Sequence, residues 1–283
     1  DRIEAVFVAT DAPNHARHCI EVLKHGKHVA CAVPAVFGSL EDADRLLAAV
    51  KSSGKKYMMF ETSCFHEEVH AMRRIFEAGG LGKIVYSEGE YYHYMDEPIP
   101  SYKDWRVGLP PQWYPTHSNA YYVCVTGGSF TEVSCMGVPS RISHLQPANN
   151  RYKNPFGTEI ALFRTSEGGA SRMAVSWDTP GFSGEMGRIR GQKGTLGSFY
   201  GAYDGLEKKL PDLKRPALPP GVSAGGHGGS HGHLMNNFVT AILLDRKPIV
   251  DVVLSLNMTV AGIVAHKSAL KGGELLKIPQ YRL

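Results

Sequence analysis

Tyr114 and His117 stand three residues apart with Pro115 between them. Proline is favoured at the first position of a helix, so this spacing turns both side chains in one direction on an opening helical turn. A neutral histidine with a pKa near ~6.5 takes a proton from a hydroxyl, and a tyrosine near ~10 donates to or orients the same oxygen. The pair is therefore a candidate base and its assistant; the competing reading is a capping Tyr and a surface His. His93 belongs to the string Tyr91-Tyr92-His93-Tyr94, where strand alternation puts Tyr91 and His93 on one face and Tyr92 and Tyr94 on the other. One of those aromatic faces belongs to a core, and His93 is either a ligand contact or a hydrogen-bonded structural residue. Trp105-Arg106 adds a guanidinium able to hold hydroxyls or a carboxylate in two places, beside a ring that either stacks on a sugar or packs.

His227, His231 and His233 give the spacing H-x-x-x-H-x-H in a Gly-rich loop, which invites a zinc site. The loop holds no cysteine and no acidic residue, so no metal is expected, and its glycines suit a backbone that approaches a ligand closely. Cys64, after Glu61-Thr62-Ser63, reads as an inert thiol near the end of a buried strand rather than as a nucleophile.

The elements that must position these residues fall into two patterns. Residues 3–10 read as a short buried strand, and 13–25 have helical spacing in Ala16, Cys19, Ile20 and Leu23 up to Gly26. Residues 28–33 form a second strand, Ser39 caps a helix with Leu40, Ala43, Leu46, Leu47 and Val50 on one face, and 57–61 form a third strand. Val69, Met72, Ile75 and Phe76 continue as a third helix up to Gly79-Gly80, and this alternation predicts a parallel sheet covered by helices. Past Leu81 the pattern changes to strands at 83–93, 131–135, 159–164, 171–177, 186–191 and 196–200, without intervening helices, which predicts a largely antiparallel sheet. Residues 208–229, with four prolines, read as an irregular crossing, followed by helices over 233–244 and 252–270.

At 283 residues, 43% hydrophobic and 20% charged, the chain is an ordinary globular one of about two domains, which excludes disordered and fibrous classes. Uninterrupted apolar runs such as 5–9 and 120–125 fall far short of the ~18 residues of a membrane span, so no membrane partner is expected. The net charge of +4 comes with no basic cluster beyond Lys208-Lys209 and Lys214-Arg215, which gives no indication of nucleic-acid binding. Five cysteines without a CxxC spacing predict buried thiols and a cytoplasmic location. The opening Asp-Arg-Ile-Glu has no initiator Met or leader, and the expectation is a chain processed or cut from a longer one, with any export signal upstream of it.

Residues 5–34, AVFVATDAPNHARHCIEVLKHGKHVACAVP, resemble the second half of the Rossmann domain of the Gfo/Idh/MocA oxidoreductases, which reads "ATP..H…AL..GKHV..EKP". Ala9-Thr10, His15-Ala16, Leu23, Gly26-Lys27-His28-Val29 and Pro34 carry the likeness, which continues through Glu61-Thr62, residues 82–93 and Trp105-Arg106. It implies an α/β chain: a truncated Rossmann (parallel sheet) domain over residues 1–81, followed by an α+β domain over 82–283 with a large, mostly antiparallel open sheet. The G-x-G-x-x-G that grips a dinucleotide pyrophosphate is absent, the glycines of residues 191–197 having the wrong spacing, and the resemblance implies at least two βα units ahead of residue 1.

The resemblance also implies NAD or NADP as cofactor, a sugar or polyol substrate, and a homo-oligomer, dimer or tetramer. Thr10, Asp11, His15, Ala32, Pro34 and Glu61 fall on its cofactor side, and His93, Trp105, Arg106 and His227 on its substrate side. The family's EKP motif stands here as Ala32-Val33-Pro34, without its Lys, and its Asp…His turn as Trp113-Tyr114-Pro115-Thr116-His117, with the His alone. Tyr-Pro-Thr-His and the string Gly225-Gly226-His227-Gly228-Gly229 are similar to the branch of NAD-dependent glycosidases acting on α-N-acetylgalactosamine, which reads EVP where this chain has Ala32. Three functions follow: a nicotinamide-dependent sugar oxidoreductase with His117 as base, a glycoside hydrolase working by transient oxidation and elimination, and a non-catalytic sugar-binding homologue.

Overall fold

The computed structural model describes residues 2–197 and 212–283. Three short apolar strands, β1 (Ala5–Val8), β2 (His28–Cys31) and β3 (Tyr57–Met59), pair in parallel in the order β1-β2-β3. The helices between and after them owe their form to the stripes read in the sequence. α1 (His15–Lys24) buries Ala16, Cys19, Ile20 and Leu23. α2 (Leu40–Ser53) starts where the Ser39 hydroxyl accepts from the Asp42 N–H at 3.1 Å, and stops at Gly54 in the left-handed region. α3 (Glu67–Glu77) buries Val69, Met72 and Ile75.

The second sheet has seven strands: β4 (Ile84–Tyr92), β5 (Phe130–Pro139), β6 (Phe156–Thr165), β7 (Ala170–Ser176), β8 (Gly184–Gly191), β9 (Thr195–Gly197) and β10 (Leu276–Lys277). Its order is β10-β5-β6-β7-β4-β8-β9, antiparallel throughout except for the parallel pair β4 and β7. The expected combination of a parallel sheet with helices and a large, mostly antiparallel open sheet is present. The strand predicted over 196–200 begins in β9, and its residues 198–200 lie outside the described ones, as do 208–211 of the irregular crossing.

One expectation is corrected. The strand-rich part is interrupted by a helix, α4 (Thr116–Thr126), which lies on β4 and β8. Every residue of α4 except its last is buried, so the sequence carries no one-sided apolar stripe to betray it. Glycine makes the close approach possible: Gly89 of β4 and Gly187 of β8 are paired across the ladder. A Cβ on Gly89 would stand 2.0 Å from the Ser118 carbonyl oxygen, and one on Gly187 2.4 Å from the Tyr121 ring.

The chain ends in α5 (Ser230–Leu243) and α6 (Val252–Leu270). By length and composition α6 passes for a membrane span although polar residues interrupt its apolar runs, but 83% of its apolar window is buried inside the fold. It packs against α2, α4, β3 and β5 and joins the two sheets in one apolar core. A second, aromatic cluster of Trp105, Trp177, Leu109 and Met95 with Phe37, Tyr91 and Tyr114 fills the space at the end of β4 and β7.

His15 braces the loops after β1 and β2. Its Nδ1 lies 2.8 Å from the Pro34 carbonyl oxygen and its Nε2 3.0 Å from that of Thr10, and the ring is 1% exposed. Carbonyl oxygens only accept, so both nitrogens donate and the imidazolium is the form that satisfies the site. Burial opposes that charge, but the Cys31 sulfur and the two carbonyls favour it, and the pKa is raised to about 9.

Two outcomes follow. Gly89→Ala is expected to lose ~1–3 kcal/mol of stability through forced displacement of α4, read from urea unfolding; an unchanged midpoint would show that the helix has room. For His15 the folded pKa exceeds the unfolded ~6.5, so its contribution is full below that pH and is lost as pH rises through about 9. The stability gap between the wild type and His15→Gln should narrow over that window, and a gap independent of pH would contradict the charged brace.

Candidate active site

A cleft of about 380 Å³ opens where the carboxyl ends of the parallel strands meet α4 and α5. Ala32 and Val33 after β2, and Phe60 and Thr62 after β3, form one wall; Tyr114 and His117 form the floor, and His227, His231 and Leu234 close the other side. Carboxyl ends of parallel strands are where open α/β sheets take their ligands.

His117 reaches this cleft from the first turn of α4, whose entry is fixed by a buried polar anchor. Glu159 of β6 accepts from the Gln112 N–H at 2.7 Å through one oxygen and pairs with His266 of α6 at 2.7 Å through the other. The Gln112 amide donates in turn to the carbonyl oxygens of Glu159 and Met173. The turn Pro111–Trp113 is thereby pinned, and Tyr114 and Pro115 lead directly into the helix.

The imidazole of His117 is oriented from behind. Its Nδ1 lies 2.7 Å from the Glu61 carboxylate, which also accepts from the Ser63 N–H at 3.0 Å. Because a carboxylate only accepts, Nδ1 carries the proton and Nε2 is left as the acceptor of a ring that lines the cleft. Burial works against the charged ring, yet the Glu61 carboxylate outweighs it, with Glu185 adding to the effect, and the pKa of His117 is raised. Burial likewise works against the Glu61 charge, which His117 holds in place, and that pKa is lowered. The arrangement is a carboxylate-backed imidazole, a proton acceptor strengthened from behind.

Rings surround it. Tyr91 lies 4.6 Å and Tyr114 5.7 Å from the His117 ring, centre to centre. Burial raises the Tyr114 pKa against the pull of Arg106, so its hydroxyl stays protonated as a donor. The Arg106 guanidinium sits 4.3 Å over Trp105 and 5.5 Å from Tyr114. His93 follows β4 with its ring on the Tyr91 side at 6.1 Å; burial lowers its pKa, with Arg106 and His117 adding to the effect. His227 has a positive φ of 48°, and its Nδ1 lies 2.7 Å from His231 Nε2.

The structure brings Tyr114, His117, Ala32 and His227 to one cleft, whereas other expected contacts serve the protein itself. His15 spends both nitrogens on backbone carbonyls and holds the loops rather than presenting a group to a ligand. Glu61 is 0% exposed and acts behind His117. Trp105, 7% exposed, packs edge-on to Phe37. Pro34 follows a cis Val33–Pro34 bond and supplies a carbonyl to His15. Thr10 and Asp11 stay at the surface of the loop after β1, where the Thr10 hydroxyl meets His18 at 2.9 Å and Asp11 accepts from Asn14. The histidines 227, 231 and 233 do not assemble into a metal site, and among the described residues no cluster has suitable ligands. Glu185 of β8, 3.4 Å from His117 Nδ1, was not anticipated: only its pairing with Tyr91 across the ladder brings it there, and no sequence spacing reports that.

Residues 1–61 match the oxidoreductase family GFO_IDH_MocA, described as having an NAD-binding Rossmann fold. A glycosyl hydrolase family 109 protein of Phocaeicola vulgatus is 29% identical over 126 residues, 41% of this chain and 30% of that protein. An alpha-N-acetylgalactosaminidase of Bacteroides fragilis is 31% identical over 93 residues, 33% of this chain and 22% of that protein. The matches thus span less than a third of either relative's length. A levoglucosan dehydrogenase solved with NADH shares the fold with a TM-score of 0.76 at 17% identity, covering 99% of this chain and 81% of that one. The family match falls on the N-terminal segment that carries Ala32 and Glu61, and the likeness of fold runs on through the part that carries His117.

Proposed function

We propose that the protein is a nicotinamide-dependent oxidoreductase that removes a hydride and a proton from a sugar or sugar derivative, with His117 as the base and Tyr114 as its assistant. The observation that carries this reading is the Glu61–His117 pair, 2.7 Å apart, backing a ring that lines a cleft at the carboxyl ends of parallel strands. The cofactor fits in part. Ala32, Val33 and Phe60 offer an apolar wall suited to a nicotinamide ring, while among the described residues no Gly-rich loop follows β1 to take a pyrophosphate. NAD, when bound, supplies the hydride acceptor.

The rest falls to the chain's own groups. His117 Nε2 takes the proton of the reacting hydroxyl while Nδ1 keeps its hydrogen bond to Glu61, so the positive charge forms against a carboxylate. The Tyr114 hydroxyl orients the same oxygen, and the apolar wall excludes water. With Ala32 where the family's motif would carry Glu, and Val33 where it would carry Lys, no ammonium competes for the role of base. Arg106, His93 and His227 are assigned to the sugar. A dimer or tetramer through the seven-stranded sheet fits the exposure of Met136 and Leu162 on its outer face, and a cytoplasmic location fits five free, buried thiols.

A second reading is favoured by the Lys-free Ala32-Val33-Pro34 and by the names of the curated relatives: a glycoside hydrolase in which oxidation is transient. Incubation with NAD and a panel of sugars, followed by NADH absorbance, separates the two. Sugar-dependent NADH is expected, whereas aglycone release with no net NADH would favour the hydrolase. His117→Ala should lower turnover by ~10²–10⁴, and turnover near that of the wild type would remove His117 from the role of base.

A further inference from the structure

A base buried in a cleft must dispose of the proton it takes, and Glu61 offers no way out because it is closed off from solvent. Glu185 approaches the same nitrogen, its Oε1 3.4 Å from His117 Nδ1. Its second oxygen, Oε2, lies 3.8 Å from Nε2 of His66, and Nδ1 of His66 lies 3.7 Å from Oε1 of Glu68. Glu68, on the first turn of α3, is 38% exposed, against 13% for Glu185. Glu185 and His66 thus each meet one neighbour through one atom and the next through the other, and the series that begins at His117 ends at the most exposed of the three, Glu68. His66 Nε2 is buried with no hydrogen-bond partner, an orphan that secondary structure does not explain.

We propose that Glu185, His66 and Glu68 form a proton relay that discharges His117 to solvent. The proposal deepens the assignment of His117 as base and rests on it. One proton moves at each step and no electrons do: the substrate O–H breaks as Nε2–H forms on His117, and the His117 Nδ1 proton passes to Glu185. The Glu185 carboxyl then protonates His66 Nε2, and the His66 Nδ1 proton leaves through Glu68 to water. The gaps exceed the ~2.7–3.2 Å of a formed hydrogen bond, as free sites commonly do, and a carboxylate rotation or a bridging water closes each.

The charges around the line favour it. His117 is faced by Glu61, Glu185 and Arg106 and by the rings of Tyr91 and Tyr114; His93 lies beside them. His66 is faced by Glu68, Glu185 and Glu61, and Glu68 by the Tyr121 hydroxyl at 3.4 Å. Burial lowers the His66 pKa, but Glu68 and Glu185 outweigh it, and the result is raised, so His66 can hold a proton in transit.

The test uses Glu185→Gln and His66→Gln, which keep shape and polarity but cannot pass a proton. Turnover should fall about tenfold in each and no further in the double variant, and added imidazole buffer should restore it. NMR titration of the unliganded protein should show both His66 and His117 losing protons at lower pH in Glu185→Gln. A loss without buffer rescue in His66→Gln, or a titration shift confined to His117, would overturn the relay and leave the base intact. If no sugar is oxidised by the unsubstituted protein, the base assignment falls instead, and the relay is judged on the titrations: a joint shift of the two imidazoles supports it and a shift of His117 alone ends it.

Discussion

The contact on which the rest depends is the one between Glu61 and His117. It joins a residue just past the third strand of the parallel sheet to the first turn of a helix that lies on the other sheet. Both groups are buried, so each has given up hydration that the other largely returns, and removing His117 alone would leave the Glu61 carboxylate buried without its cation, a change of the kind that costs ~3–5 kcal/mol. The pair therefore demands that two separately built sheets hold a fixed distance. Much of the remaining architecture meets that demand.

Three devices do so. α6 fills the space between the sheets and is buried over most of its length, which fixes their separation. Gly89 and Gly187 let α4 lie directly on the strands, so that His117 stands at a height set by backbone contact rather than by a yielding side chain. Glu159, buried and held by His266, grips the backbone of Gln112 and decides where α4 begins; on the facing side Gly262 leaves room, since a Cβ there would meet the Gln112 carbonyl at 2.1 Å. A protein that places one imidazole this carefully also surrounds it with rings, and Tyr91, Tyr114 and Trp177 form a wall that turns the ring toward the cleft.

What could be read in the chain beforehand followed periodicity and local chemistry. The Ser39 cap, the stripe of α1 and the bounds of α6 were legible because each is a property of neighbouring residues. The Tyr114–His117 spacing was legible for the same reason. α4 was not, since a helix buried on all sides has no polar face to set its period, and only its opening turn was signalled by Pro115. Glu185 and Glu159 were invisible as functional residues, because their meaning comes from strand pairing and from contacts 68 and 107 positions away, with His117 and His266 respectively. Glu61 and His15 were singled out for a ligand and serve instead to hold His117 and the strand-end loops, a distinction that only burial and hydrogen-bond direction could make.

The central claim is that Glu61 makes His117 the base. The pH dependence of kcat/KM for Glu61→Gln against the wild type tests it most directly. In the wild type the rate should rise as His117 loses its proton, at a pH above the ordinary ~6.5 because the carboxylate holds that proton. Without the carboxylate, burial prevails, so the rise should move to lower pH and level off at a lower plateau. A rise at the same pH in both proteins would contradict the account.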